Sequence, residues 1–229
     1  MIRLPVITKD GSHTLEVPSL KATYHSLHGA IAESMHVYIE AGFKEAIKSN
    51  PKRPLQIFEM GFGTGLNVLL TLLEATKSEE SVRYYATELN PIDTNLAFSL
   101  NYCKQPGLED ALPYFQKIHT CNWEDETSIT PYFSLIKTTT GLQDLLQNKL
   151  LVPPPFLVNY DAFAPASQPE LWTTELFSLL FQAMDRGGIM VTYCCKGDVK
   201  RALIAAGFEV EKLKGPPGKK EMLRARKTS

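Results

Sequence analysis

The chain lacks the marks of several common chemistries. No G-x-x-x-x-G-K-[ST] run is present, so a Walker-type phosphate loop is excluded. There is no G-x-S-x-G elbow, which argues against a serine hydrolase. Only 4 cysteines occur in 229 residues. Cys103, Cys121, Cys194 and Cys195 form no C-x-x-C pair, and the adjacent two cannot close an ordinary disulfide without strain. They suit a reducing compartment, and Met1 to Pro5 show no signal-peptide apolar core, so a cytoplasmic protein is expected. No apolar run approaches the roughly 20 residues that span a bilayer. Charge of one sign is scarce as well. Lys and Arg number 24 against 25 Asp and Glu, a formal net charge of −1. Such a molecule is no general polyanion binder, and any nucleic-acid contact must be local. His25, His28 and His36 share a segment, but only Glu33 stands near them at ligand spacing, and no metal is expected.

What is present reads as one globular chain of ordinary domain size, with 44% hydrophobic and 21% charged residues. Residues 1–50 form an N-terminal extension. Leu4 to Thr8 and His13 to Val17 flank Lys9-Asp10-Gly11-Ser12, a hairpin signal. An amphipathic helix follows over 30–48, where Ile31, Met35, Tyr38, Ile39, Phe43, Ala46 and Ile47 recur at helical spacing. Pro51-Lys52-Arg53-Pro54 breaks it. Residues 51–229 then alternate. Strands are predicted at 55–60, 83–89, 133–138, 156–160, 189–195, 208–213 and 221–226. Helices are predicted after the glycine loop and over 94–102, 141–149, 169–185 and 198–206. The rest of 105–150 is weakly patterned. The alternation predicts an α/β fold, with a mostly parallel sheet and a closing antiparallel hairpin.

The first chemical constellation is Leu55-Gln56-Ile57-Phe58-Glu59-Met60-Gly61-Phe62-Gly63-Thr64-Gly65-Leu66-Asn67, an apolar strand, a glycine loop and a helix start. That order presents backbone N–H groups to a ligand at a helix N-terminus. Gly61 and Gly63 permit tight turning and close approach, and Gly65 lets the helix pack near the strand. Glu59, at the strand's carboxyl end, would repel a pyrophosphate but suits a cationic ligand such as S-adenosylmethionine. Glu88 ends the second strand 23 residues after Gly65, where the acid that grips a ribose diol is expected.

The second is Asp161-Ala162-Phe163-Ala164-Pro165, directly after a compact apolar strand. If 55–60 is the central strand, 156–160 is its neighbour across the switch in strand order, and Asp161 faces the reacting atoms. A carboxylate there accepts an N–H from an amine and aims its lone pair at a methyl donor. Phe163 offers a π-face to a cation. The third is basic: Lys212, Lys214, Lys219, Lys220, Arg224, Arg226 and Lys227 crowd the last 18 residues, with Lys200 and Arg201 nearby. Such a cluster serves phosphate contacts, or equally a solvated hairpin. These residues leave three readings open: an amine methyltransferase acting on a nucleic acid, a methyl or aminopropyl transferase for small amines, and an NAD-dependent oxidoreductase or nucleotide-binding module.

The chain resembles a known family. Glu59-Met60-Gly61-Phe62-Gly63-Thr64-Gly65-Leu66-Asn67, Asp161 to Pro165 with Pro169-Glu170-Leu171-Trp172, and Ala206-Gly207-Phe208 through Met222-Leu223 carry the resemblance. So do Tyr24-His25-Ser26, His28-Gly29-Ala30 and Glu33 to Tyr38. Together they are similar to the methyltransferase domain of the bacterial tRNA wobble-uridine enzyme MnmC and its stand-alone MnmD-type relatives. The resemblance implies a class I methyltransferase fold. It also implies methyl transfer from S-adenosylmethionine to the 5-aminomethyl group of (2-thio)uridine at the tRNA wobble position. By it, Glu59, Gly61, Gly63, Thr64, Gly65, Asn67 and Glu88 are the candidate cofactor residues. Asp161 is the candidate catalytic residue, and Phe163, Pro165, Lys219 and Lys220 are the candidate substrate residues. Many members carry a Gly-Asp pair where this chain reads Thr138-Thr139-Thr140-Gly141-Leu142, which leaves the adenine contact open. The family's FAD-dependent half has no counterpart in residues 1–229. Removal of a carboxymethyl group is therefore not expected of this chain alone, and a separate enzyme would supply the substrate.

Overall fold

The computed structural model describes residues 1–50 and 52–228. Pro51, the first of the predicted helix breakers, lies outside them. Strands β1 (Leu4–Ile7), β2 (His13–Val17) and β3 (Ala22–Thr23) form a small antiparallel sheet in that order. The hairpin turn is held by Asp10, whose carboxylate accepts the Ser12 N–H at 3.0 Å and the Ala32 N–H at 2.9 Å. That second bond ties the hairpin to the helix that follows.

The predicted helix over 30–48 is present, but it is not α-helical throughout. α1 (Ala30–Ser34) runs into a π-helical stretch, Met35–Phe43, and then into α2 (Lys44–Ser49). The Lys44 N–H bonds the Ile39 carbonyl, five residues back. Wide turns of this kind recur at functional sites. Gly42 lets the helix lie close on the sheet, since a Cβ there would meet the Val191 side chain at 3.0 Å.

The main sheet is built from β4 (Leu55–Met60), α3 (Leu66–Ser78), β5 (Val82–Thr87), α4 (Thr94–Ser99), α5 (Leu112–Thr120), β6 (Thr127–Thr130) and β7 (Phe133–Thr138). It continues through α6 (Leu142–Gln147), β8 (Leu157–Tyr160), α7 (Thr174–Ala183), β9 (Ile189–Thr192), α8 (Gly197–Ala205), β10 (Glu209–Lys214) and β11 (Glu221–Arg226). The strand order is β10-β11-β9-β8-β4-β5-β7-β6. β7, β5, β4, β8 and β9 run parallel, while β11, β10 and β6 pair antiparallel. β8 lies against β4 on the side opposite β5, so the strand order reverses between them as expected. Ligands of open α/β sheets bind beyond the carboxyl ends at this place.

β8 and β9 are buried along their whole length, which is why they read as continuous apolar runs. Alternate residues of β4 point to two cores. Ile57 packs with Leu69, Tyr84, Phe115 and Leu135, and Phe58 with Val158, Tyr160, Phe177 and Leu203.

α5 and β6 were not expected. α5 carries Pro113 in its first turn and buries only Phe115, Ile118 and His119, and β6 is a four-residue edge strand with an irregular register at Ser128/Thr130. The predicted helix over 94–102 stops at Ser99, where Leu100 turns extended; Tyr102 then sends its hydroxyl into the core, 3.1 Å from Thr64 Oγ1. The predicted helix over 169–185 divides into a 3₁₀ turn, Pro169–Trp172, and α7. Thr173 caps α7 by accepting the Leu176 N–H at 3.2 Å. The strand predicted to Cys195 ends at Thr192. No helix among the described residues is long and apolar enough to cross a membrane.

Candidate active site

A cavity of about 580 Å³ opens beyond the carboxyl ends of β4, β5 and β8, within the roughly 300–1,000 Å³ usual for small-molecule sites. The glycine loop forms its floor. The Gly61 and Phe62 N–H groups both donate to the Thr87 carbonyl, at 3.2 and 3.0 Å. Gly61, Gly63 and Gly65 have φ of +94°, +51° and +72°, a region that side chains disfavour. A Cβ on Gly61 would stand 2.7 Å from the Asp161 carbonyl oxygen, and one on Gly63 would stand 3.0 Å from the Tyr24 ring. Gly65 differs from expectation. Its Cβ would meet His119 Nε2 at 2.9 Å and Phe62 at 3.2 Å, so the glycine is required by the left-handed turn under His119. Thr64 faces inward, bonding His25 Nε2 at 2.9 Å and the Tyr102 hydroxyl, and does not line the cavity. Burial pushes His25 and His119 down to about 4, so both are neutral anchors of the loop at ordinary pH. Glu88 lines the cavity. One carboxylate oxygen accepts the Gly63 N–H at 3.0 Å and the other the Asn90 N–H at 2.9 Å.

The acids form one connected group. Asn67 Nδ2 donates to Glu59 Oε1 at 2.9 Å and to Asp161 Oδ2 at 2.8 Å. Tyr38, from the π-helical stretch, donates to Asp161 Oδ1 at 2.5 Å. Glu59 is fully buried behind Asn67 and does not line the cavity, whereas Asn67 and Asp161 do. Burial raises the Glu59 carboxyl well above the ordinary carboxylate range, and the Asp161 charge pushes the same way against the Asn67 bond. Burial also raises Asp161 to about 7, offset in part by the bonds from Tyr38 and Asn67. Glu59 Oε2 and Asn67 Oδ1 are buried with no partner among the described residues. A ligand ammonium would give Asn67 Oδ1 its missing donor and so relieve the cost that an orphaned buried acceptor carries. With the Glu88 carboxylate and the glycine cradle, this donor set fits S-adenosylmethionine.

On the far wall, Phe163 meets Tyr24 edge-on, with ring centroids 5.2 Å apart. Its backbone is pinned by Gln168 at 3.1 Å and Trp172 at 2.9 Å. Pro165 is not in the lining, although Ala164 and Ala166 are. Lys219 lines the cavity, paired with the Glu33 carboxylate and 3.9 Å from the Tyr193 ring centroid. Lys220 is exposed and stands outside. Beyond Glu88, the cavity is lined by Leu89, Gly141, Leu142, Gln143 and Asp144. Tyr24, Glu33 and Tyr38 are additions to the sequence-derived set. They fall inside the N-terminal stretches that carry the family resemblance, which was their only signal. Tyr193 had none. Among the described residues no group of three or more His, Cys, Asp or Glu could hold a metal ion.

Residues 156–228 match a family model described as S-adenosyl-L-methionine-dependent methyltransferase. The chain is 32% identical over 231 residues to the tRNA 5-methylaminomethyl-2-thiouridine biosynthesis bifunctional protein MnmC of Burkholderia thailandensis, covering 95% of this chain and 34% of that protein. To the protein of the same name in Azoarcus sp. it is 27% identical, covering 89% and 32%. The chain thus spans about one third of the length of these relatives. Among solved structures, MNMC2 from Aquifex aeolicus superposes with a TM-score of 0.79 at 23% identity, covering 98% of this chain and 70% of that one. The CurJ carbon methyltransferase shares the fold, with a TM-score of 0.52 at 15% identity and coverage of 90% and 57%. Over nearly its whole length the chain is similar to about one third of MnmC, and it has the class I S-adenosylmethionine-dependent methyltransferase fold.

Proposed function

We propose that this chain methylates the primary amine of 5-aminomethyl(-2-thio)uridine at the wobble position of tRNA, with S-adenosylmethionine as donor. The observation that carries the reading is Asp161. It is an acid at the cavity wall, bonded through Asn67 to a second acid, in a chain similar to MnmC nearly end to end. Bound there, S-adenosylmethionine supplies a methyl group on a sulfonium. Glu88 suits its ribose diol, and Asn67, Gly61 and Gly63 suit its amino-acid end. Asp161 accepts an N–H of the acceptor amine and orients it for in-line attack. A carboxylate alone favours the ammonium form. Asp161 therefore works by holding the neutral amine and passing its second proton to water. Phe163 and Tyr24 wall the space beside it with aromatic faces. Transfer of labelled methyl from S-adenosylmethionine to tRNA lacking this modification tests the reading. Incorporation into tRNA supports it; incorporation only into small amines such as putrescine overturns it.

The basic end of the chain needs sorting by geometry. Lys212 pairs with Glu221 at 2.7 Å and Arg224 with Glu211 at 2.6 Å within the hairpin, and Arg226 with Glu45 of α2 at 2.6 Å, so these cations hold the hairpin together and to the helix. Lys196, Lys214 and Lys220 are exposed and form no ion pair among the described residues. We assign the phosphate contacts to these three. Each lysine replaced by methionine lowers the slope of log affinity against log salt by about 1, whereas Arg224→Met leaves that slope unchanged and lowers the melting temperature. Filter binding across a salt series checks both outcomes.

A further inference from the structure

Tyr38 enters neither the family motifs' expected roles nor the cofactor set, yet it makes the shortest contact to the candidate catalytic acid. Its ring is 1% exposed, and its hydroxyl reaches Asp161 Oδ1 at 2.5 Å across 123 residues of sequence. Asn67 takes the other carboxylate oxygen. The two donors come from different elements, α3 and the π-helical stretch, so they fix the carboxylate in rotation as well as in place. The lone pairs left over are those that Asp161 presents to the cavity.

We propose that Tyr38, whose hydroxyl reaches Asp161 from the π-helical stretch 35–43, is a positioning residue for that carboxylate. The inference rests on the proposed function for its kinetic consequence but not for its structural one. Removing a donor from a carboxylate disfavours the charged form. The other charged and titratable groups around Asp161 are Glu59 behind Asn67, Tyr84, the Glu33–Lys219 pair and Tyr193, and a Tyr38 variant keeps every one of these side chains.

The test is Tyr38→Phe, which keeps the ring in its seat. In protein labelled with carboxyl-¹³C aspartate, the Asp161 resonance is assigned by its loss in Asp161→Asn and titrated. Its midpoint is expected to rise by about one pH unit, a tenfold change in proton affinity. The acid limb of kcat/KM should move upward by the same amount, with S-adenosylhomocysteine affinity changed less than twofold. 3,5-Difluorotyrosine installed at position 38 keeps the hydroxyl as a stronger donor and should shift the midpoint downward, which guards against a folding defect in the phenylalanine variant. An unmoved midpoint in both proteins overturns the proposal, as does a lower rate with an unmoved pH profile. If the unaltered protein methylates no tRNA, the functional reading fails, but the ¹³C titration still decides the role of Tyr38.

Discussion

Asp161→Asn should abolish turnover while raising stability at alkaline pH. A positioned acid or base contributes about 10²- to 10⁴-fold in rate, so a loss of at least a hundredfold in kcat is expected. S-adenosylmethionine binding by calorimetry should change by less than about threefold, because Asn67 and Glu88 are untouched. The stability effect follows from linkage. The folded Asp161 titrates near 7, against an ordinary value of 3.8. A folded value above the unfolded one means that the native state binds the proton more tightly. That stabilisation is full below pH 4 and is lost as the pH rises through 7. At pH 8 the ionised acid is a burden, which asparagine removes. The variant's stability relative to the parent should therefore improve by roughly 4 kcal/mol between pH 4 and pH 8. Thermal melts at the two pH values check this, and a constant difference would show that Asp161 titrates normally. The same protonation predicts that kcat/KM climbs between pH 6 and 8 as Asp161 ionises.

The second large effect is expected at Gly61. Alanine there must adopt φ near +94° and place a Cβ 2.7 Å from the Asp161 carbonyl. Backbone strain alone costs about 1–3 kcal/mol, and the clash adds to it because backbone must move on both sides. β4 and β8 are hydrogen-bonded neighbours, and the Asp161 N–H bonds the Met60 carbonyl at 3.0 Å. The displacement therefore passes directly to the catalytic acid. Gly61→Ala should lower the melting temperature markedly and cut both cofactor affinity and turnover by more than tenfold. Gly107→Ala is the matched control. It sits at φ +81° with nothing within 4 Å of its Cβ, so it should show the strain without the functional loss.

The parts of the molecule legible in its sequence are those fixed by local apolar pattern. β4 and β8 read clearly because they are short buried runs bounded by turn residues, and the glycine loop marks the place where α3 begins. α5 and β6 were hidden because one has a proline in its first turn and few buried residues and the other is a polar edge. The π-helical winding was invisible too. Ile31, Met35, Ile39 and Phe43 satisfy a helical period, and periodicity cannot tell an i+4 bond from an i+5 bond over nine residues. Tyr38 thus read as a core residue of an amphipathic helix. Glu59, Asn67 and Asp161 were all singled out, but not the two bonds by which the Asn67 amide joins the acids, since nothing in its spacing says that its side chain reaches two strands. The pairing of Lys219 with Glu33 spans 186 residues, and local pattern holds no trace of it. The same distance explains the basic end, where the cations were countable but their partners were not.

In the proposed reaction Asp161, at the wall of this cavity, directs a methyl group onto the exocyclic amine of a wobble uridine. The most direct measurement is mass spectrometry of nucleosides digested from tRNA bearing 5-aminomethyl-2-thiouridine, after incubation with the protein and S-adenosylmethionine. The predicted result is a gain of about 14 Da (one methylene) on that nucleoside, with fragmentation placing it on the side-chain nitrogen, present with the parent protein and absent with Asp161→Asn. A methyl group on a ring nitrogen or a ribose, or none on tRNA from a protein shown to bind S-adenosylmethionine, would contradict it.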